Sequence, residues 1–169
     1  MKKMDSYGLK MCAFQATLFE KSLSDQDCSS KIFIRRFMHS DLATRMDSDG
    51  FYFDAIGVAD SFNELDMQYG ATDYGQQKFS AEEMHWIGYI YRYWAYTYEK
   101  SSKQLYKYIK PERLRDLYFP YHSLDPAQAI ERILEADGMD TDSQIARGVE
   151  ILRRVRSTRK RAGARKSIM

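Results

Sequence analysis

The run Ser80-Ala81-Glu82-Glu83-Met84-His85-Trp86-Ile87-Gly88-Tyr89-Ile90-Tyr91-Arg92-Tyr93-Trp94-Ala95-Tyr96-Thr97-Tyr98-Glu99-Lys100 decides the fold class. Ser80 followed three residues later by Glu83 is the pattern of a capping box, in which each side chain satisfies the other residue's backbone N–H, so a helix starts here. From Glu82 to Lys100 the helix is apolar or aromatic on nearly every face, and such a helix belongs at the centre of a bundle. Its length of about 19 residues would also cross a membrane. Arg92, His85 and the tyrosine hydroxyls argue against that, because polar and charged groups in hydrocarbon are expensive. In a packed core a tyrosine buries its ring and keeps its hydroxyl at the edge. The spacing predicts a central helix with Trp86, Ile87, Ile90, Trp94 and Tyr98 buried.

Working toward the N-terminus, Gly70 closes a predicted helix from Ala59 to Tyr69, a residue type suited to the turn beyond a helix end. Phe51-Tyr52-Phe53 reads as a short extended piece. Asp47-Ser48-Asp49-Gly50 is a turn that fails as a calcium loop: with Gly50 at the invariant glycine, Arg45 and Ile56 stand where Asp and Glu are required. A helix is predicted from Lys31 to Arg45, with Ile32, Phe33, Phe37, Leu42 and Met46 lining one face and Arg35, Arg36 and Asp41 outside it. Ser24 to Ser30 is turn-like, and before it residues 7–24 form a first helix with Leu9, Phe14, Leu18 and Leu23 as its apolar row.

Toward the C-terminus, Ser101-Ser102 ends the central helix and caps a short one, Lys103 to Ile109. Pro111 opens a helix over Glu112 to Tyr118, which Pro120 is expected to interrupt. Asp125, Pro126 and Gln128 fit cap, first and third helical positions, and Gly138 ends that helix. Asp140 to Ser143 caps a last helix with a narrow stripe of Ile145, Val149, Leu152 and Val155. The expected fold is all-α: a single compact multi-helix bundle over residues 1–138 around a central aromatic helix, with a basic C-terminal helix and tail over 139–169.

Length supports this reading. A chain of 169 residues with 44% hydrophobic content suits one packed domain. Two cysteines are too few for a disulfide scaffold, and no apolar stretch follows Lys2-Lys3 as a secretory signal would need, so a reducing cytoplasm is expected. The net charge of +2 conceals two opposite halves: residues 145–169 hold nine basic groups against Glu150, whereas the preceding 144 residues hold 17 basic and 23 acidic groups.

Few patterns ask for chemistry. His39, His85 and His122 lie on different predicted elements, the cysteines are sixteen apart, and neither a zinc pattern, a phosphate loop nor a nucleophile elbow occurs. Neither a cofactor nor catalysis is expected. A helix-turn-helix reader over Trp86 to Tyr118 would need a basic exposed face, and Glu112 and Asp116 offset Arg113 and Arg115. The candidate binding residues are therefore the tail cations Arg153, Arg154, Arg156, Arg159, Lys160, Arg161, Arg165 and Lys166, suited to phosphates of DNA or RNA or to an acidic surface, and Arg35 and Arg36, suited to a protein partner.

The strings Ile32-Phe33-Ile34-Arg35-Arg36-Phe37-Met38, Trp86 to Tyr93, Tyr98-Glu99-Lys100-Ser101-Ser102, Leu114-Arg115-Asp116-Leu117-Tyr118, Tyr121-His122 and Asp125-Pro126 through Ala136 resemble one family. It comprises small helical proteins of gut-type Firmicutes met beside genes of toxin–antitoxin modules, one neighbour resembling an ADP-ribosyltransferase-like toxin. The resemblance spans residues 29–137. Family members end soon after the string matching Ile133-Leu134-Glu135-Ala136, so residues 139–169 look like an addition. The resemblance implies a cytoplasmic antitoxin or accessory protein that neutralises a toxin-like partner by occlusion; the basic residues of the tail, which the resemblance does not cover, give nucleic-acid binding as the alternative.

Overall fold

A computed structural model describes residues 1–138 except 49, 53 and 54. The described chain is all-helical: α1 (Ser6–Asp25), α2 (Ser30–His39), α3 (Asp41–Asp47), α4 (Val58–Tyr69), α5 (Ala81–Tyr98), α6 (Ser102–Tyr108), α7 (Pro111–Tyr121) and α8 (Pro126–Ala136). The chain divides into two units, Met1–Ala127 and Gln128–Met169. The expected last helix and tail lie outside the described residues. Among the described residues no helix is long and apolar enough to cross a membrane.

The helix starts follow the capping chemistry. Ser80 Oγ accepts from Glu83 N–H while the Glu83 carboxylate accepts from Ser80 N–H, at 3.1 and 2.9 Å. Ser101 and Gln104 repeat the arrangement for α6. Pro111 occupies the first turn of α7, and Asp125 Oδ1 accepts from Ala127 N–H at 2.9 Å in the first turn of α8. Gly70, at φ 75°, closes α4 in a conformation that a side chain disfavours.

Three boundaries differ from the sequence reading. The predicted helix from Lys31 to Arg45 is two helices, because Ser40 leaves helical geometry at ψ 160° and serves both sides of the break. Its hydroxyl donates to the Phe37 carbonyl that ends α2 and accepts from the Ala43 N–H that starts α3. Pro120 does not interrupt α7, which continues to Tyr121. A proline there removes only the bond to the carbonyl of Asp116, itself an exposed residue, in an exposed last turn. Phe51 and Tyr52 lie in irregular structure rather than in an extended strand.

The frame of the first unit is the antiparallel pair α1 and α5, shown by Gly8 against Tyr96, Gln15 against Gly88 and Glu20 beside His85. The inward row of α1 is Gly8, Met11, Cys12, Gln15, Ala16, Phe19 and Ser22, with Leu18 also buried. Leu9, expected in that row, faces solvent. Small and polar residues face inward because α5 lies so close: a Cβ on Gly88 would stand 2.9 Å from the Gln15 carbonyl oxygen and 3.0 Å from Ala16 Cα. Gly88→Ala is therefore expected to destabilise the fold by about 1–3 kcal/mol despite the better helix propensity of alanine, since backbone must move to admit the methyl. Urea unfolding checks this, and an alanine variant as stable as the parent would contradict so tight a crossing.

Beside this pair Phe19 packs edge-on against Phe33 and Phe37, with ring centres 5.4 and 5.1 Å apart, and Phe62 of α4 joins Phe33 at 6.0 Å. On α5, Ile87, Ile90 and Trp94 are buried as expected, whereas Trp86 and Tyr98 are half-buried. The tyrosine belt is divided likewise. Tyr91 alone among the α5 tyrosines is fully buried, its hydroxyl donating to the Ile109 carbonyl at 2.6 Å, while Tyr89, Tyr93 and Tyr96 stand at the edge.

Candidate functional site

Three features of the first unit go beyond packing. The first is a charged cluster buried at the junction of α1, α3, α5 and α6. Arg92, only 2% exposed, donates from Nε to Gln15 Oε1 at 2.7 Å, from Nη1 to Asp47 Oδ1 at 2.8 Å and from Nη2 to Ser102 Oγ at 3.1 Å. Ser102 returns both its backbone N–H and its hydroxyl to the Asp47 carboxylate, at 2.8 and 2.7 Å. Gln15 completes the circuit by donating to the Gly88 carbonyl. A buried charge is tolerated when it is paired and hydrogen-bonded, as here. Arg92 and Asp47 also border a cavity of about 450 Å³, whose rim carries Lys2, Tyr7, Tyr96, Glu99 and Lys100. Lys2 Nζ stands 4.2 Å from the centre of the Tyr96 ring, and Asp5 accepts from the Tyr96 hydroxyl at 2.8 Å. The Gly8 N–H and that hydroxyl hold the Asp5 carboxyl below its ordinary range. With each guanidinium nitrogen of Arg92 hydrogen-bonded, the cluster is a structural clasp. The aromatic run had pointed to Arg92 only as evidence against a membrane helix.

The second feature is a cleft of about 340 Å³ where α1, α5 and α7 meet. One face of α5 supplies Glu82, His85, Trp86 and Tyr89, spaced i, i+3, i+4 and i+7, and the end of α7 supplies Tyr118 and His122 at i, i+4. Glu20 of α1 closes it, with a carboxylate oxygen 2.8 Å from His85 Nδ1. Trp86 and Tyr118 meet at 78° with ring centres 5.8 Å apart, and His122 stacks on Tyr118 at 4.7 Å. Burial pushes the Tyr89 hydroxyl above its ordinary range. Sequence reading treated the histidines as unrelated, and the fold brings two of them to one cleft. Among the described residues, no three of His, Cys, Asp and Glu are placed to hold one metal ion.

The third feature contains the predicted Arg35 and Arg36. The structure separates them: Arg35 is exposed, whereas Arg36 is 8% exposed. The expectation that they lie outside the apolar face holds for Arg35 and fails for Arg36, because residues 70–80 fold back over α2. Tyr74 and Gln77 carbonyls accept from Ser29 and Ser30 N–H groups, and Arg36 Nη2 donates to the Gly70 carbonyl. The guanidinium lies 5.2 Å from the centre of the Tyr69 ring. Arg36 Nε and Nη1 have no hydrogen-bond partner among the described residues. Beside it, burial pushes the Cys28 thiol up, and the guanidinium charge offsets this in part.

Exposed apolar side chains lie on α4 and on the segment that follows it. Met67 is 87% and Tyr74 61% exposed, with Tyr69 partly so. Asp41 adjoins Tyr69, raising its hydroxyl pKa after the larger effect of burial, and the Asp41 N–H donates to Gln68 Oε1 at 3.0 Å. The surrounding sequence is strongly acidic: residues 41–73 contain eight Asp or Glu and a single cation, Arg45, which is engaged with Glu64 at 2.7 Å. The predicted tail residues, Arg153 through Lys166, lie outside the described residues. No family model, curated protein or solved structure matches the chain.

Proposed function

We propose that this chain is a non-enzymatic protein-binding module, an antitoxin or accessory protein that occludes a basic, toxin-like partner. The observation that carries the reading is the exposure of Met67, Tyr69 and Tyr74 on α4 and the segment after it, with exposed Asp41, Asp60 and Asp73 in the neighbouring sequence. Exposed aromatic and methionine side chains on a fixed frame supply contact area, and surrounding charge of one sign accelerates association with the opposite sign. In this reading Arg36 acts from beneath, holding the chain that presents Tyr69, and does not touch the partner.

The test is co-expression with the toxin-like product of the neighbouring gene that the family resemblance implies. A stoichiometric complex is expected, with association slowed by salt. A Met67→Ser, Tyr69→Ser, Tyr74→Ser variant should bind about tenfold or more weakly, as when interface anchors are truncated, while keeping the helical content of the parent. A variant that binds as well as the parent would remove the proposed surface.

The charge of residues 145–169 favours a second reading, a nucleic-acid-binding regulator. It predicts log K for duplex DNA falling with log salt, with a slope of about −0.9 per phosphate neutralised. Replacing Arg153, Arg154, Arg156, Arg159, Lys160, Arg161, Arg165 and Lys166 by Gln should abolish that binding and leave the protein complex intact.

A further inference from the structure

The cleft between α1, α5 and α7 has a composition that the protein-binding reading does not use. Its lining carries the rings of Trp86, Tyr89 and Tyr118, the carboxylates of Glu20 and Glu82 and the imidazoles of His85 and His122, and neither Lys nor Arg lines it. Other aromatic faces of this protein already hold a cation: Lys2 over Tyr96, Lys110 over Tyr106, Arg36 over Tyr69 and Arg115 over Phe79. The Trp86 and Tyr118 rings form a near-perpendicular corner, with His122 stacked on one face of Tyr118, so a group seated in the corner meets two ring systems from different directions. A tryptophan face is the strongest partner for a cation within about 6 Å of its centre. Glu82 has neither a hydrogen bond nor an ion pair among the described residues, and the Glu20 carboxylate is held by His85.

We propose that this cleft binds an alkylated ammonium group, seated against Trp86 and Tyr118 and drawn in by Glu20 and Glu82. An alkylated ammonium suits the site better than a bare one. Its methyl groups pack on the rings and its charge is weakly hydrated, so a shallow, partly wet corner loses little in displacing water. A compact, strongly hydrated ammonium needs several direct hydrogen bonds to replace its water, and ring faces supply none. The source of the group is either a small free molecule or a methylated lysine side chain on a peptide. Both present the same chemistry to the rings.

The test uses the full chain with choline, tetramethylammonium, 3,3-dimethyl-1-butanol as the uncharged carbon isostere of choline, and a trimethyl-lysine peptide beside its unmethylated counterpart. Binding is read by calorimetry and by the indole N–H resonance of Trp86 against that of Trp94. Saturable binding of choline or tetramethylammonium is expected, with Trp86→Ala weakening it by about tenfold or more. The uncharged isostere should bind at least several-fold more weakly. Glu82→Gln alters an exposed side chain in the first turn of α5 and leaves the fold intact, so a several-fold loss in that variant supports the charge contribution independently. Preference for the trimethylated peptide over choline identifies a side-chain source, and the reverse a free one. Absence of saturable binding by every cation, equal binding of the isostere, or affinity unchanged in both variants would overturn the proposal. The partner-binding variants leave this cleft untouched, so each reading fails on its own evidence.

Discussion

Asp47→Ala should destabilise the fold by about 3–5 kcal/mol, the range for removing one partner of a buried ion pair. The substitution leaves Arg92 buried at 2% exposure with its charge uncompensated, and it strips Ser102 of acceptors for both its N–H and its hydroxyl. Arg92→Met should cost less. It removes the buried charge with a side chain of similar reach, and Asp47, at 14% exposure, keeps its two bonds from Ser102 and some access to water. The double variant should therefore be more stable than Asp47→Ala alone, which gives the two residues a favourable coupling in a double-mutant cycle. Urea unfolding followed by circular dichroism measures all three. An Asp47→Ala variant within about 1 kcal/mol of the parent would mean that water reaches the guanidinium, in conflict with so deep a burial.

Trp94→Ala should cost about 3–5 kcal/mol, as for other large aromatic side chains removed from a core. Trp94 is 2% exposed and packs edge-on against Tyr108 of α6, with ring centres 5.4 Å apart, and against Tyr98 at 6.3 Å. Its loss opens a void between α5 and α6 that rigid neighbours fill only in part. Trp86→Ala provides the internal contrast. That ring is half-buried at the cleft, so less area returns to water and no closed void forms. The Trp86 variant should melt much closer to the parent. Equal losses at the two tryptophans would contradict their different burial.

The clasp and the cleft show where sequence reading stops. Arg92 stood out in the sequence as a charge inside an aromatic run, and that alone implies a buried partner. The partner lies 45 residues away in a turn-like stretch, and Asp49 beside it looked equivalent. In the cleft, the row Glu82, His85, Trp86 and Tyr89 is readable as one helical face, and so is the pair Tyr118 and His122. Their meeting depends on how α7 returns to α5, which the intervening short helix decides.

What the sequence determined by itself is local. Ser80 with Glu83, Ser101 with Gln104, Pro111, and Asp125 before Pro126 set helix starts because each cap satisfies backbone groups within three residues of itself. The all-α class follows from those signals and from helical periodicity. The tertiary structure decided what depends on the neighbour across the contact. Gln15 of α1 meets Gly88 of α5 because the two helices cross too closely there for a side chain at Gly88, while Leu9 of α1 lies on the side turned to water. Arg36 is buried because residues 70–80 cross over it, and nothing within its own helix announces that cover. Ser40 breaks an unbroken apolar pattern because its hydroxyl bonds both helices, a competition that periodicity alone does not register.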